Sequence, residues 1–182
     1  MSETPYPTNT MRYKIPENDD RERLVCEDCG YIAYENPKIV VGAVCAYKNL
    51  ILLCKRAIEP RTGYWTMPAG YMELGENLHD GAKREAYEEA GVDLDISSIL
   101  AIYSLPHINQ VQIFYKASLE GDYLNPGPES LEARFFEWDD IPWDNLAFPT
   151  VKLALQAYKR SLTAEVILPD QRTIETSDPS AL

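Results

Sequence analysis

No apolar run in the chain approaches the ~18 residues that a membrane span needs. The first ten residues have no basic or apolar signal region. Both absences point to a cytoplasmic protein that makes no use of a membrane. Basic residues are outnumbered, 17 against 29 acidic ones, for a net charge of −12, and no cluster of lysine or arginine breaks that balance. Binding of nucleic acid or of an anionic membrane through a basic surface is thereby argued against. A polyanionic ligand has to be received through metal and a few local cations. Cysteine is scarce, 4 in 182 residues, and in a reducing compartment such cysteines are thiols or metal ligands rather than a disulfide framework. The length suits one domain with a real core plus tails.

What the chain does have is concentrated in residues 70–92, GYMELGENLHDGAKREAYEEAGV. Asn77 is placed to cap a helix over 78–90, with Asp80 at the third position, and Gly91 suits the left-handed residue that ends it. Gly81, costly inside a helix, marks a close neighbour. Glu85, Glu88 and Glu89 then stand at i, i+3 and i+4 on one face. Three carboxylates within one turn repel one another. A salt-bridged surface helix is the ordinary meaning of such a run. A hard divalent cation is the other resolution, since Mg²⁺ takes one or two carboxylates together with substrate phosphates. Arg84 can reach Glu88 and leave the remaining carboxylates for metal.

The whole stretch reads G-x5-E-x7-R-E-U-x-E-E-x-G-U, with Gly70, Glu76, Arg84, Glu85, Glu88, Glu89 and Gly91 at the fixed places. Chance produces seven such identities on the order of 10⁻⁸ times per start site. At these residues the sequence resembles the Nudix hydrolases at every defining position. The resemblance implies an α/β fold, a Nudix α/β/α sandwich with a mixed β-sheet, preceded by a short zinc-ribbon-like amino-terminal segment. It makes Glu85, Glu88 and Glu89 the carboxylate ligands of Mg²⁺ or Mn²⁺, and the backbone at Gly70 a carbonyl ligand. Glu76 and Arg84 would orient the helix. The domain organisation expected is a disordered tail over 1–10, a knuckle segment over 11–36, a Nudix domain over 37–165 and a carboxy-terminal tail over 166–182.

Cys26 and Cys29 form a C-x2-C-G turn, the shape of a metal knuckle, yet structural zinc takes four ligands. Cys45 and Cys54 fall in predicted strands, and His79 and His107 are distant in sequence. A similar Nudix group carries two knuckles followed by a tract like residues 34–38; here only the second knuckle is present. Three alternatives stay open: zinc held within the chain, a vestigial knuckle with ordinary buried thiols, or a site shared across a homodimer. Related enzymes often dimerise, and Tyr31 and Tyr34 offer an aromatic contact.

Strands are expected over 39–47 and 50–55 as a hairpin, a short one running into the box from residue 63, then 99–104, 110–118 and 133–138. Thr150 is placed to cap a last amphipathic helix over 151–162. Arg56 at a strand end is a candidate phosphate ligand and equally a surface cation. Trp65 is expected in the core, and Tyr64 beside it on either side of that boundary. Pro106 lies fourteen residues past Val92, where Nudix enzymes acting on ADP-ribose recurrently place a proline. Glu129 and Glu132 are candidates for general base, with a polar loop that caps the next strand as the plain alternative.

The segments NPKIVVG, LLCKR, WTMPAGYMELGE, GPESLE and IPWDNLAF carry the resemblance further, toward Nudix enzymes that act on FAD and ADP-ribose. The implied reaction is metal-dependent hydrolysis of a diphosphate bond, giving FMN and AMP from FAD or AMP and ribose 5-phosphate from ADP-ribose. Alternatives are NADH or another nucleotide-sugar diphosphate, a non-catalytic nucleotide-binding Nudix regulator, and an RNA-end enzyme of the same fold. The regulator reading is weakened by the intact glutamates and the RNA reading by the acidic charge.

Overall fold

A computed structural model describes residues 10–166 and 168–175. The chain divides into two compact units at Asn36 and Pro37. Apart from Thr10, the tail expected over 1–10 lies outside the described residues.

The first unit is a three-stranded antiparallel sheet of β1 (Met11–Lys14), β2 (Arg23–Cys26) and β3 (Ile32–Ala33), in that order. The turn before β2 is organised by Asp19, which accepts the backbone N–H groups of Asp20 and Arg21 and the Nε–H of Arg23. The C-x2-C-G turn follows β2, with the Gly30 N–H returning to the Cys26 carbonyl at 2.9 Å.

The second unit holds β4 (Lys38–Tyr47), β5 (Leu50–Arg56), β6 (Trp65–Thr66), β7 (Ala69–Tyr71), α1 (Leu78–Ala90), β8 (Asp95–Leu105), β9 (Gln110–Ser118), β10 (Ser130–Phe136), α2 (Pro149–Ser161) and β11 (Asp170–Thr173). The sheet runs β10-β5-β4-β9-β8-β11. β4 pairs parallel with β9, and β11 parallel with β8; the other pairings are antiparallel, so the sheet is mixed. β4 forks: residues 46 and 47 pair with β5, whereas Val40, Val41 and Gly42 pair with β7.

Period-two alternation divides β4 between two cores. Val41, Ala43 and Cys45 pack with Ala82, Ala86 and Ala90 of α1. Val44 and Ala46 join the cluster that takes in Leu153, Ala154 and Leu155 of α2. One helix therefore covers each face, which is the α/β/α sandwich expected from sequence. Trp65 is in the core, edge-on to Phe136 with ring centroids 4.9 Å apart.

Several boundaries differ from the sequence reading, among them β10, expected over 133–138 and found over Ser130–Phe136. α2 starts at Pro149, with extended Phe148 before it and no side-chain cap. Proline at the first helical position presets φ, so Thr150 is an interior, buried residue rather than the cap. β8 starts at Asp95, its polar Ser97–Ser98 step absorbed by register shifts between Ile96 and Ser98 and between Ile99 and Ala101. Of the tail expected over 166–182, residues 167 and 176–182 lie outside the described residues, while 170–173 form the paired strand β11. Its alternation of Asp170 and Arg172 with neighbouring polar residues hides the edge strand, whose apolar anchor is Ile174.

Candidate active site

α1 forms where the sequence places it. The Asn77 side chain accepts the Asp80 N–H at 3.0 Å, and Gly91 ends the helix at φ 69. Gly81 faces Val41: a Cβ there would come within 2.9 Å of its Cγ2. This close packing sets α1 against β4 and brings its carboxylates to the fork beside β7.

Arg84 organises them. Its Nε and Nη2 both donate to the Glu76 carboxylate, Nη2 also donates to the Tyr71 carbonyl at 3.0 Å, and Nη1 donates to Glu85 at 2.8 Å and Glu88 at 2.9 Å. Guanidinium has five N–H donors, and all five are used. Arg84 thus engages Glu85 and Glu76 besides the Glu88 that helical spacing suggests. Its guanidinium holds Glu76 below the usual carboxylate range, with the Glu73 N–H adding to the effect.

Glu85 and Glu89 point inward and are nearly covered, at 9% and 8% exposure, while Glu88 lies at the surface. The Glu85 carboxylate fills the space over Gly70, where a Cβ would collide with it. Burial raises the pKa of Glu85 against the pull of Arg84. Burial, together with the charge of Glu85, raises Glu89 to about 8, although the Ala69 N–H acts the other way. Glu89 Oε2 is buried without a hydrogen-bond partner.

Among the described residues no three acidic, histidine or cysteine side chains already converge on one point; Glu85 and Glu88 are turned to Arg84. The donor set nevertheless fits a hard divalent cation. Hard oxygen donors, a partnerless buried carboxylate oxygen and mutual repulsion are all satisfied by such an ion.

The carboxylates open on a cleft of about 1060 Å³ on the α2 side of the sheet. Gln110, Gln112 and Phe114, alternate residues of β9, line it. A hydrogen-bond chain runs from Gln112 through Gln110 to the Tyr71 hydroxyl. Arg56 enters from the end of β5, its Nε–H on the Pro60 carbonyl at 2.9 Å and its guanidinium over the Phe148 ring. Arg56 lines the cleft, and its charge acts on Glu89, where it opposes the effect of burial.

The other candidates separate. Glu129 lines the cleft and lies near enough to Glu85 and Glu89 to oppose their ionisation. Glu132 is exposed on β10 opposite Lys55, outside the cleft, because the register shift after Ser130 carries it past the mouth. Tyr64 stacks under Arg61 and is not a cleft residue. Pro106 starts an exposed 3₁₀ turn; its neighbours Leu105 and His107, not Pro106, line the cleft. Sequence reasoning missed Gln110, Gln112, Phe148, Ile174 and Glu175. The alternating polar positions of β9 were the one available signal, since the last two depend on β11 pairing.

In the amino-terminal unit Cys26 is buried and Cys29 exposed, and Cys45 and Cys54 are buried in the second unit's core. The Thr10 hydroxyl, 3.6 Å from Cys26 Sγ, and nearby backbone N–H groups hold the Cys26 thiol down at about 7. Cys26 and Cys29 are two sulfurs against the four ligands that structural zinc takes, and among the described residues no third metal-ligating side chain joins them.

The NUDIX domain family model matches residues 36–158, and the Nudix N-terminal model, a zinc-ribbon type, matches residues 8–35. An ADP-ribose pyrophosphatase of Methanocaldococcus jannaschii is 32% identical over 129 residues, covering 68% of this chain and 74% of that protein. A NAD-capped RNA hydrolase, NudC of Haemophilus influenzae, is 26% identical over 130 residues, 70% of this chain but only 49% of its own length. A crystal structure of a NUDIX hydrolase from Nitrosomonas europaea is 41% identical, with a TM-score of 0.87 over 91% of this chain and 94% of that one. With an intact glutamate box at the mouth of a nucleotide-sized cleft, this chain belongs to the Nudix hydrolase family.

Proposed function

We propose that the protein hydrolyses the phosphoanhydride of ADP-ribose, and of FAD, with Mg²⁺ or Mn²⁺, as a cytoplasmic enzyme. The observation that carries this reading is the pair of buried carboxylates, Glu85 and Glu89, facing a cleft of about 1060 Å³ with Arg56 poised opposite. Such a volume accommodates a dinucleotide-sized ligand. The ADP-ribose pyrophosphatase relative, matched over most of its length, supports the choice of substrate.

Glu85, Glu88, Glu89 and the Gly70 carbonyl would hold the cation. Bound there, it would offset the charge of both phosphates and acidify water. Arg56 takes a non-bridging phosphate oxygen through its two Nη groups. Glu129 accepts the proton of the attacking water, which adds to one phosphorus as the bridging oxygen leaves with the other phosphate. Water is consumed, and AMP and ribose 5-phosphate are released. Arg84 keeps Glu85 and Glu88 in place by its anchor on Glu76 and Tyr71.

The NudC relatives give a second reading, an RNA bearing a NAD cap. The net charge of −12 disfavours the phosphodiester chain that would follow such a cap.

The test is product formation from ADP-ribose, FAD, NADH and NAD-capped RNA at equal concentration, with wild type beside Glu89→Gln. AMP from ADP-ribose and FAD, dependent on metal and reduced on the order of 10²-fold in the variant, is the expected result. Binding without cleavage of any substrate would overturn the hydrolase reading.

A further inference from the structure

One wall of the cleft is built by a segment remote in sequence from the box. After α2 the chain returns as β11, parallel to β8, with Thr173 opposite Ser104. Running in the same direction as β8, it delivers its end where β8 ends. The Ile174 N–H bonds the Ser104 carbonyl at 2.8 Å, Ile174 is buried in the α2-side core, and both Ile174 and Glu175 line the cleft. One carboxylate pins the strand. Asp170 accepts the Tyr103 hydroxyl at 3.0 Å and ion-pairs with Arg160 at 3.2 Å and Arg172 at 3.0 Å. Tyr103 is completely buried, so the anchor is fixed to the sheet.

Glu175 thus brings a negative charge to the cleft wall. The arginines that line the cleft are Arg56 and Arg84, and Arg84 spends every donor on Glu76, Glu85, Glu88 and Tyr71. Among the described residues that line the cleft there is no lysine and no further arginine to balance the exposed Glu175. A ribose placed there can give hydroxyl protons to the carboxylate. A further phosphate placed there meets repulsion.

We propose that Glu175, positioned by the Asp170 anchor, is a specificity-determining residue that accepts an unphosphorylated ribosyl end and rejects one bearing an additional phosphate. This inference rests on the proposed diphosphatase reading and names its substrate class more narrowly: diphosphates whose ribosyl end carries hydroxyls alone.

The test compares kcat/KM for ADP-ribose with that for two analogues, one phosphorylated on the adenosine ribose and one on the terminal ribose. Wild type is expected to discriminate against at least one of them. In Glu175→Gln that ratio falls by about three- to tenfold, as one unit charge a few ångströms away through water predicts. Glu175→Lys lowers it further. Raising the salt concentration erodes the wild-type ratio and leaves that of Glu175→Gln nearly flat, which a steric wall would not do. Asp170→Asn, which loosens the anchor, shifts the ratio in the same direction. An unchanged ratio for both analogues in Glu175→Gln, with ADP-ribose still hydrolysed by wild type, overturns the inference and leaves the diphosphatase standing. Failure of wild type to hydrolyse ADP-ribose removes both.

Discussion

The carboxylate of Glu85 occupies the space in which a side chain at Gly70 would lie. The strand end and the helix are therefore fitted to each other through the absence of one methyl group. Gly70→Ala is expected to displace Glu85 while the sheet stays folded. A shift of about 1 Å at a catalytic group costs roughly 10²-fold in rate. Steady-state kinetics with an unchanged circular dichroism spectrum would confirm it; near wild-type kcat would show that Glu85 does not need this position.

Glu89 makes metal-free stability depend on pH. Its carboxyl ionises at about 8 in the fold, against 4.5 for an unperturbed glutamate. The fold holds the proton that the unfolded chain releases, so the stabilising contribution is complete below pH 4.5 and is lost as pH rises to about 8. Burial raises Glu85 in the same direction. Metal-free protein should melt progressively lower across that window, and Glu89→Gln should flatten the decline. Added Mg²⁺ should raise the wild-type melting temperature most at the alkaline end, where the carboxylate is already free to bind it. Thermal scans from pH 5 to 8.5 with and without Mg²⁺ decide the matter, and a decline equally steep in the variant would refute the assignment.

Arg84→Lys is not a conservative change. Lysine offers three donors from one point where the guanidinium places five along a plane. Glu76 loses its paired contact and Glu85 is left under-bonded, for a cost of about 2–3 kcal/mol. At about 2–4 °C for each kcal/mol in a chain of this size, the melting temperature should fall by roughly 4–12 °C. Lys83→Ala, on the exposed side of the same helix, is the control and should move it little.

Zinc content is bounded by the cysteines. Cys26 and Cys29 supply two thiolates, and the other cysteines are buried in the core of the second unit. If zinc binds through these two sulfurs alone, a four-thiolate site needs two chains, and half a zinc ion per chain is the expected content. Metal analysis of the purified protein, paired with its mass in solution, checks this. One zinc per monomer, surviving Cys26→Ser with Cys29→Ser, would require ligands elsewhere.

The parts of the fold set by local chemistry were readable in the sequence. The box helix is capped by Asn77 and ended by Gly91 as its residue types dictate, and the alternation of 110–118 gives β9. The parts that failed depend on pairing across long separations. Glu129 and Glu132 are equivalent in sequence, and only the register shift after Ser130 sends one into the cleft and the other out. β11 is polar at every position, so no periodicity announces it; its partner β8 lies about seventy residues earlier. Thr150 has the chemistry of a cap, yet Pro149 before it starts the helix two residues sooner.

Because the wall strand and the glutamate box are separate stretches of one chain, they can vary independently. If Glu175 selects the ribosyl end as proposed, substitutions in residues 170–175 would retune which nucleotide enters without touching the box carboxylates, whereas changes in residues 70–91 would alter cleavage itself. On that reading, relatives grouped by their boxes alone would share a reaction and still part company over substrates. The last strand is the place to look for that divergence, and the first segment to exchange between relatives when a new preference is wanted.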